Sequence, residues 1–299
     1  MEEFSVKTPS GIVMKGRKWE AKEPKANLTI ITGMDEHATR YAPFAEFLNE
    51  HGVNVWCLDA LGQGLNAESE EAQERWPKDG FFENVAGIAE MVKLAKSNGL
   101  PTTHMGHSMG SFLSQSLIQW HPLIADKVVL CGSNGGQAFL MSAANLISKL
   151  IVHKGNWDKE NKFMDNLGLG GYSKAIKDRK TDFDWLSYNE ENVKKYIDDP
   201  YCGHANTGGF WKGFTAGMKT IWKKKYMSKV DKKQKILIVA GQDDPVGQNG
   251  KGLKWLENAY KKVGVNDVTL ILYPNMRHEI LNEIEKEKPY NDILNFIFA

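Results

Sequence analysis

An α/β fold is what this sequence predicts: a mostly parallel central sheet, flanked by helices and interrupted by an inserted helical cap. Three observations predict it. Apolar strand-like runs alternate with amphipathic helical runs as far as Gly132. The alternation stops over 136–230 and then resumes. One strand-like run turns into a helical one at Gly106-His107-Ser108-Met109-Gly110, a G-x-S-x-G pentapeptide.

Taken in order, residues 4–8 and 12–20 read as a hairpin joined at Pro9-Ser10-Gly11. Ala26 to Gly33 is a buried-strand pattern ending in glycine. A helix over 40–50 carries Tyr41, Phe44, Ala45 and Leu48 on one face, and Val53 to Asp59 is the next strand. Gly62-Gln63-Gly64 reads as a flexible loop. A helix over 80–97 carries Phe81, Val85, Ile88, Ala89, Val92 and Leu94. The 101–105 run and the helix after Ser108 follow, then the strand Lys127 to Cys131. Such β-α-β alternation implies parallel strands with helices on both faces.

Within 136–230 there are several helical patterns and no convincing buried strand. This segment holds 16 Lys and Arg against 10 Asp and Glu, whereas the whole chain is +1. It reads as an inserted cap, leaving 1–135 and 231–299 as one core domain. Lys235 to Gly241 resumes the sheet, a helix spans 250–263, Val268 to Tyr273 is a final strand, and a helix over 289–298 closes the chain.

Composition bounds the chemistry. At 299 residues and 41% apolar, the chain can bury a sizeable core, and a net charge of +1 argues against a nucleic-acid partner. No run of 18 apolar residues exists, and the N-terminus Met1-Glu2-Glu3-Phe4 is acidic, so neither a transmembrane helix nor a signal peptide is expected. The cysteines Cys57, Cys131 and Cys202 are odd in number and far apart, and read as reduced thiols of a cytoplasmic protein. His104 and His107 lie on a strand and its turn and point differently. No histidine spacing suits a metal, and no cofactor is implied.

A serine on a tight strand-to-helix turn needs glycine two residues before and after it, where a Cβ has no room; Gly106 and Gly110 supply this. The turn exposes Ser108 and aims the Met109 N–H toward the position of a developing oxyanion. His107, the variable residue of the turn, reads as a packed neighbour. A serine hydroxyl requires a base, and the base an orienting acid, from loops at the carboxyl ends of later strands in the order acid, then histidine. The loop after 235–241 offers Asp243 and Asp244; the loop after 268–273 offers His278. A second oxyanion donor is expected after the 27–33 strand, where Gly33 permits close approach and Met34 supplies the N–H. Glu36 and His37 also read as ordinary residues of a helix N-terminus.

With these pieces in hand, the chain resembles the monoacylglycerol lipase and lysophospholipase group of the α/β-hydrolase superfamily, the serine aminopeptidase S33-like or hydrolase-4 group. The matching residues are Gly33 to His37 with Arg40-Tyr41, Asp59 with Gly62-Gln63-Gly64, Gly106 to Gly110, Gly241 to Gly247, and Arg277-His278-Glu279. Phe183 to Ser187 and Asp199 to Gly203 also resemble bacterial members. The resemblance implies Ser108 as nucleophile, Asp244 as acid and His278 as base, choosing Asp244 over Asp243 because the family's acid precedes a pair like Pro245-Val246. Departures occur at Thr32, Ala60 and Gln63, where the family has histidine.

The expected activity is therefore hydrolysis of carboxylic esters of single-chain lipids through an acyl-enzyme. A small-ester carboxylesterase, an acyltransferase or an S33-type peptidase would use the same triad, and a non-catalytic binding protein would keep only the fold. Over 138–152 an apolar helical stripe forms, and Phe139, Leu146 and Ile147, with Trp185, are expected to wall an acyl pocket. The expected partner is a small ester or single-chain lipid, with at most peripheral membrane contact.

Overall fold

A computed structural model describes residues 1–299. The chain begins with β1 (Glu2–Lys7) and β2 (Val13–Trp19), followed by β3 (Ala26–Ile31), α1 (Ala42–Glu50), β4 (Val53–Leu58), α2 (Gly80–Lys96), β5 (Thr102–His107), α3 (Met109–Trp120) and β6 (Lys127–Cys131). A helical stretch follows: α4 (Ala138–Ile151), α5 (Lys162–Gly168), α6 (Gly170–Ala175), α7 (Glu190–Asp198), α8 (Gly208–Ile221) and α9 (Lys224–Met227). The sheet resumes with β7 (Lys235–Gly241), α10 (Lys251–Lys262), β8 (Asp267–Tyr273) and α11 (Glu287–Phe298).

The eight strands form one sheet in the order β1-β2-β4-β3-β5-β6-β7-β8. β2 pairs antiparallel with both β1 and β4, and every other pairing is parallel. β3 and β5 are buried along their whole length and β4 at every residue but Trp56, as expected of parallel strands covered on both faces. The order of strands reverses between β3 and β5. The loops leaving their carboxyl ends diverge there and open a crevice, the usual place for a ligand on such a sheet.

Two apolar layers sandwich the sheet. One packs α2, α3, α8 and α10 against it through residues such as Phe81, Leu113, Phe214 and Leu256. The other packs α1 and α11 through Phe44, Leu48, Tyr290 and Ile293. Within 136–230 the later part is anchored firmly: a Cβ on Gly217 of α8 would stand 2.2 Å from the Phe81 ring of α2, so glycine is what allows these helices to approach. α4 then packs on α8, with Asn145 Nδ2 and Ser148 Oγ both 3.1–3.2 Å from Thr215 Oγ1.

That packing corrects part of the expectation for α4. The buried ridge is the small and polar one, Ala144, Asn145 and Ser148. The expected apolar stripe is split: Phe139, Leu146 and Leu150 face solvent, at 88%, 60% and 78% exposed, while Leu140, Ala143 and Ile147 line the cavity described below. A second correction concerns Gly62-Gln63-Gly64. It is a packed turn, with Gln63 buried and the indole of Trp76 donating to the Leu61 carbonyl at 2.7 Å.

Candidate active site

β5 ends at His107, and Ser108 takes φ 51° and ψ −118°, a left-handed conformation that costs a non-glycine residue strain. The turn closes because its neighbours lack side chains. A Cβ on Gly106 would lie 2.2 Å from the Gly110 carbonyl oxygen, and one on Gly110 would lie 2.4 Å from that of Ile31. The Ser108 N–H donates to the Cys131 carbonyl of the adjacent strand at 2.9 Å, and Ser111 Oγ donates to the Ser108 carbonyl at 2.6 Å. These bonds hold the strained residue in place. Ser108 caps α3, so the Met109 N–H stands at the positive end of that helix with no intrahelical acceptor.

The loop after β3 comes to the same point. A Cβ on Gly33 would be 3.2 Å from Ser108 Cβ. The Gly33 N–H donates to Glu36 Oε1 at 2.6 Å, and Tyr41 OH donates to the same oxygen at 2.7 Å. Glu36 thus folds its own loop back and presents Met34 toward Ser108's side of the crevice.

The loops after β7 and β8 supply the remaining pieces. His278 Nδ1 lies 3.0 Å from Asp244 Oδ2, and the other carboxylate oxygen accepts the Val246 N–H at 2.8 Å. Both side chains are buried. Asp243 points elsewhere, accepting from the hydroxyl of Tyr188 at 3.1 Å. The second ring nitrogen of His278, Nε2, is sealed from solvent and unpartnered within the chain. The ring is wedged between Trp185, at 5.1 Å between centroids, and His107, at 4.8 Å. Gly132, at φ 57°, makes room: a Cβ there would approach His278 Cε1 to 3.0 Å.

Burial alone would push His278 down. The charge of Asp244 and its hydrogen bond more than reverse this, so the imidazole titrates above its ordinary value. His107 has no such partner, and burial drives it down to about 4, so it stays neutral beside His278.

Sequence reasoning missed the network behind these loops. Arg40 Nη1 donates to Glu36 Oε2 at 2.9 Å and to Glu279 Oε1 at 2.6 Å, Nη2 reaches Glu279 Oε2 at 2.8 Å, and Asn192 Nδ2 completes that carboxylate at 2.6 Å. All three charged side chains are at least nine-tenths buried. The network ties the loop carrying Met34 to the loop carrying His278. The i, i+4 spacing of Glu36 and Arg40 was the one local signal of it.

A cavity of about 770 Å³ opens over these residues, within the size range of small-molecule sites. Ser108, Met34, Met109 and His278 line it, together with Phe112, Ile147, Trp185 and Trp222. Of the four residues expected to wall an acyl pocket, Ile147 and Trp185 line this cavity. Phe139 and Leu146 do not, because α4 turns its polar ridge inward and carries them to solvent.

Residues 22–285 match the family model described as serine aminopeptidase, S33. Among curated relatives, a monoacylglycerol lipase of Mycolicibacterium smegmatis is 24% identical over 282 residues, covering 93% of this chain and 89% of that protein. A putative monoglyceride lipase of Schizosaccharomyces pombe is 24% identical, covering 93% and 67%. Among solved structures, a thermostable carboxyl esterase from Bacillus coagulans in complex with glycerol superposes with a TM-score of 0.90 at 25% identity, covering 99% of this chain and 97% of that one. A Paleococcus ferrophilus monoacylglycerol lipase superposes with a TM-score of 0.68 at 19% identity, covering 99% and 98%.

Proposed function

The chain belongs to the serine aminopeptidase S33 family of α/β-hydrolases, and from that premise we propose that it is a serine hydrolase of single-chain carboxylic esters of the monoacylglycerol type. The observation that carries this reading is His278, with Asp244 fixed on one ring nitrogen and the other nitrogen free toward the cavity that Ser108 lines. Ser108 Oγ attacks the ester carbonyl. His278 Nε2 takes the hydroxyl proton and returns it to the departing alcohol, while Asp244 holds the tautomer and stabilises the imidazolium. The N–H groups of Met34 and Met109 receive the charge that develops on the carbonyl oxygen. Water, deprotonated by the same nitrogen, then releases the acid and frees Ser108.

The substrate class rests on the names of the relatives and on the apolar walls of the cavity. No helix of the chain is long and apolar enough to cross a membrane. A panel of p-nitrophenyl esters tests the class. Each methylene buried is worth about 0.8 kcal/mol, about fourfold in kcat/KM, so the rate should climb from acetate to at least octanoate. Ile147→Asp should flatten that climb while sparing acetate, whereas Leu146→Asp, on the solvent side of α4, should not. If acetate is the best ester, the lipid assignment fails; if aminoacyl amides outrun every ester, the chain is a peptidase. An unreactive Ser108 toward a fluorophosphonate probe would remove the hydrolase reading altogether.

The pH dependence follows from the shift on His278. Only neutral imidazole accepts the proton, and its ordinary value is about 6.5. Because Asp244 raises it, kcat/KM should rise with pH through a midpoint above that value. Asp244→Asn should move the midpoint downward in whatever activity remains. A midpoint that stays fixed would mean another group is the base.

A further inference from the structure

Two buried carboxyl groups sit directly behind Met34, and the reaction as derived uses neither. Asp35 follows Met34 with φ 57°, and Glu74 stands at φ 59°; both are left-handed positions that L-residues avoid. They are 7% and 1% exposed. The two side chains are neighbours, each perturbing the other's ionisation. Asp35 Oδ1 and Glu74 Oε2 are sealed from water, and no nitrogen or hydroxyl of the chain donates to either. Two such carboxylates cannot both be charged side by side in a buried site, so the pair keeps its protons.

The surroundings agree. Glu36 faces the pair from the same loop, Asp165 from α5 and Tyr196 from α7. Gln63 and Asn206 add amides, Asn206 Nδ2 standing 3.5 Å from Asp35 Oδ2. These groups are acidic or neutral. The basic groups of the region are committed elsewhere: Arg40 to Glu36 and Glu279, His37 to Asp199 at 2.9 Å, and half-exposed Arg75 to Glu68.

The backbone of both residues is tied down as well. The Asp35 carbonyl accepts the Gly203 N–H at 3.1 Å. Glu74 donates to the Gly62 carbonyl at 2.7 Å and accepts from Thr207 Oγ1 at 2.6 Å. The pair therefore joins three segments, the loop after β3, the packed turn at 62–76 and the 203–207 strand of chain before α8.

We propose that Asp35 and Glu74 are positioning residues for ester hydrolysis: held neutral against one another, they pin the loop that carries the Met34 N–H, so the oxyanion donor is aligned only while both keep their protons. The proposal rests on the hydrolase reading above. Burial raises Asp35 to about 8 and carries Glu74 well above the usual carboxylate range. Ionisation of Asp35 as pH rises through about 8 leaves an uncompensated anion beside Glu74 in a closed space, and the loop moves to relieve it. Removing one such donor in other hydrolases costs kcat about 10²–10³-fold.

Rates with p-nitrophenyl butyrate between pH 6 and 9.5 test this. The wild type should lose about 10²-fold in kcat on the alkaline side, one donor's share, with KM unmoved. Asp35→Asn carries a permanent donor in place of the proton and should abolish that alkaline fall without moving the acid midpoint set by His278. Glu74→Gln should do the same from the other side. Asp35→Ala, which removes the pin, should lower kcat at every pH with KM retained. A folding readout runs in parallel. The neutral carboxyl's contribution to stability is present at low pH and lost as pH rises through about 8, so Asp35→Asn should gain in Tm over wild type at pH 9 and not at pH 4. An alkaline limb that persists unchanged in both amide variants, or one carried by KM, overturns the proposal. Failure of the hydrolase reading looks different: neither turnover nor fluorophosphonate labelling at any pH, in wild type and variants alike, and it removes this proposal too.

Discussion

Ser108→Ala is expected to lower kcat about 10⁶-fold, and His278→Ala by a similar factor, with the double variant scarcely worse than either, because the groups act as one unit. Asp244→Asn should cost about 10⁴-fold, since it leaves the imidazole in place but lets it take the wrong tautomer. Asp243→Asn, which disturbs only the contact with Tyr188 at the rim, should be mild. Steady-state rates on one ester, with enzyme concentration checked by active-site titration, decide the matter. A severe Asp243→Asn beside a mild Asp244→Asn would overturn the assignment of the acid. Additive losses in the double variant would show that the serine and histidine do not act on the same step.

Arg40→Met is expected to destabilise the fold by about 3–5 kcal/mol, the usual cost of stripping the partner from buried charges. Glu36 and Glu279 would be left facing each other with no cation. The pH dependence carries the signature. Burial would raise Glu279, but Arg40, by charge and by hydrogen bonds, draws it down to about 2. A carboxyl depressed in the folded state adds stability above its unfolded value, about 4.3, and loses it as pH falls toward 2. The wild type should therefore weaken over that window. In Arg40→Met the Glu279 carboxyl is no longer held low, and acidification to pH 5 should restore part of the lost stability. Urea midpoints at pH 5 and 8 measure this. Equal midpoints for the two proteins at pH 8 would mean the network contributes nothing. Because the same arginine bridges the loops of Met34 and His278, kcat should fall with it.

The fold was legible where burial is two-sided. Runs such as Leu28 to Ile31 and Val128 to Cys131 admit only one environment, and the glycines at 106 and 110 mark a turn that no larger residue could close. The four loops that meet at the site followed from the alternation, because parallel strands send their carboxyl ends to one side. The face of α4 was not legible. Apolar periodicity locates a helix and its two sides, but which side is buried depends on the partner, and here Thr215 selects the polar ridge. Nor was the Arg40 network, since its partner Glu279 lies 239 positions away in the chain. The Asp35–Glu74 pair was hidden for a different reason. Nothing in the local sequence announces that two acidic residues in loops will be folded inward against each other.

The order in which the site's pieces leave the ribosome also matters. Ser108 and the strand beneath it belong to the first half of the chain, whereas Asp244 and His278 arrive on the last two strands, and β8 finds its place only by pairing with β7. At about 5–20 residues per second, the stretch from Ser108 to His278 takes about 10–30 s to synthesise. Throughout that interval the nascent chain carries Ser108 without the histidine proposed as its base. On the proposed triad, esterolytic competence would be the last property the polypeptide acquires, since a product cut short anywhere before β8 would lack the base.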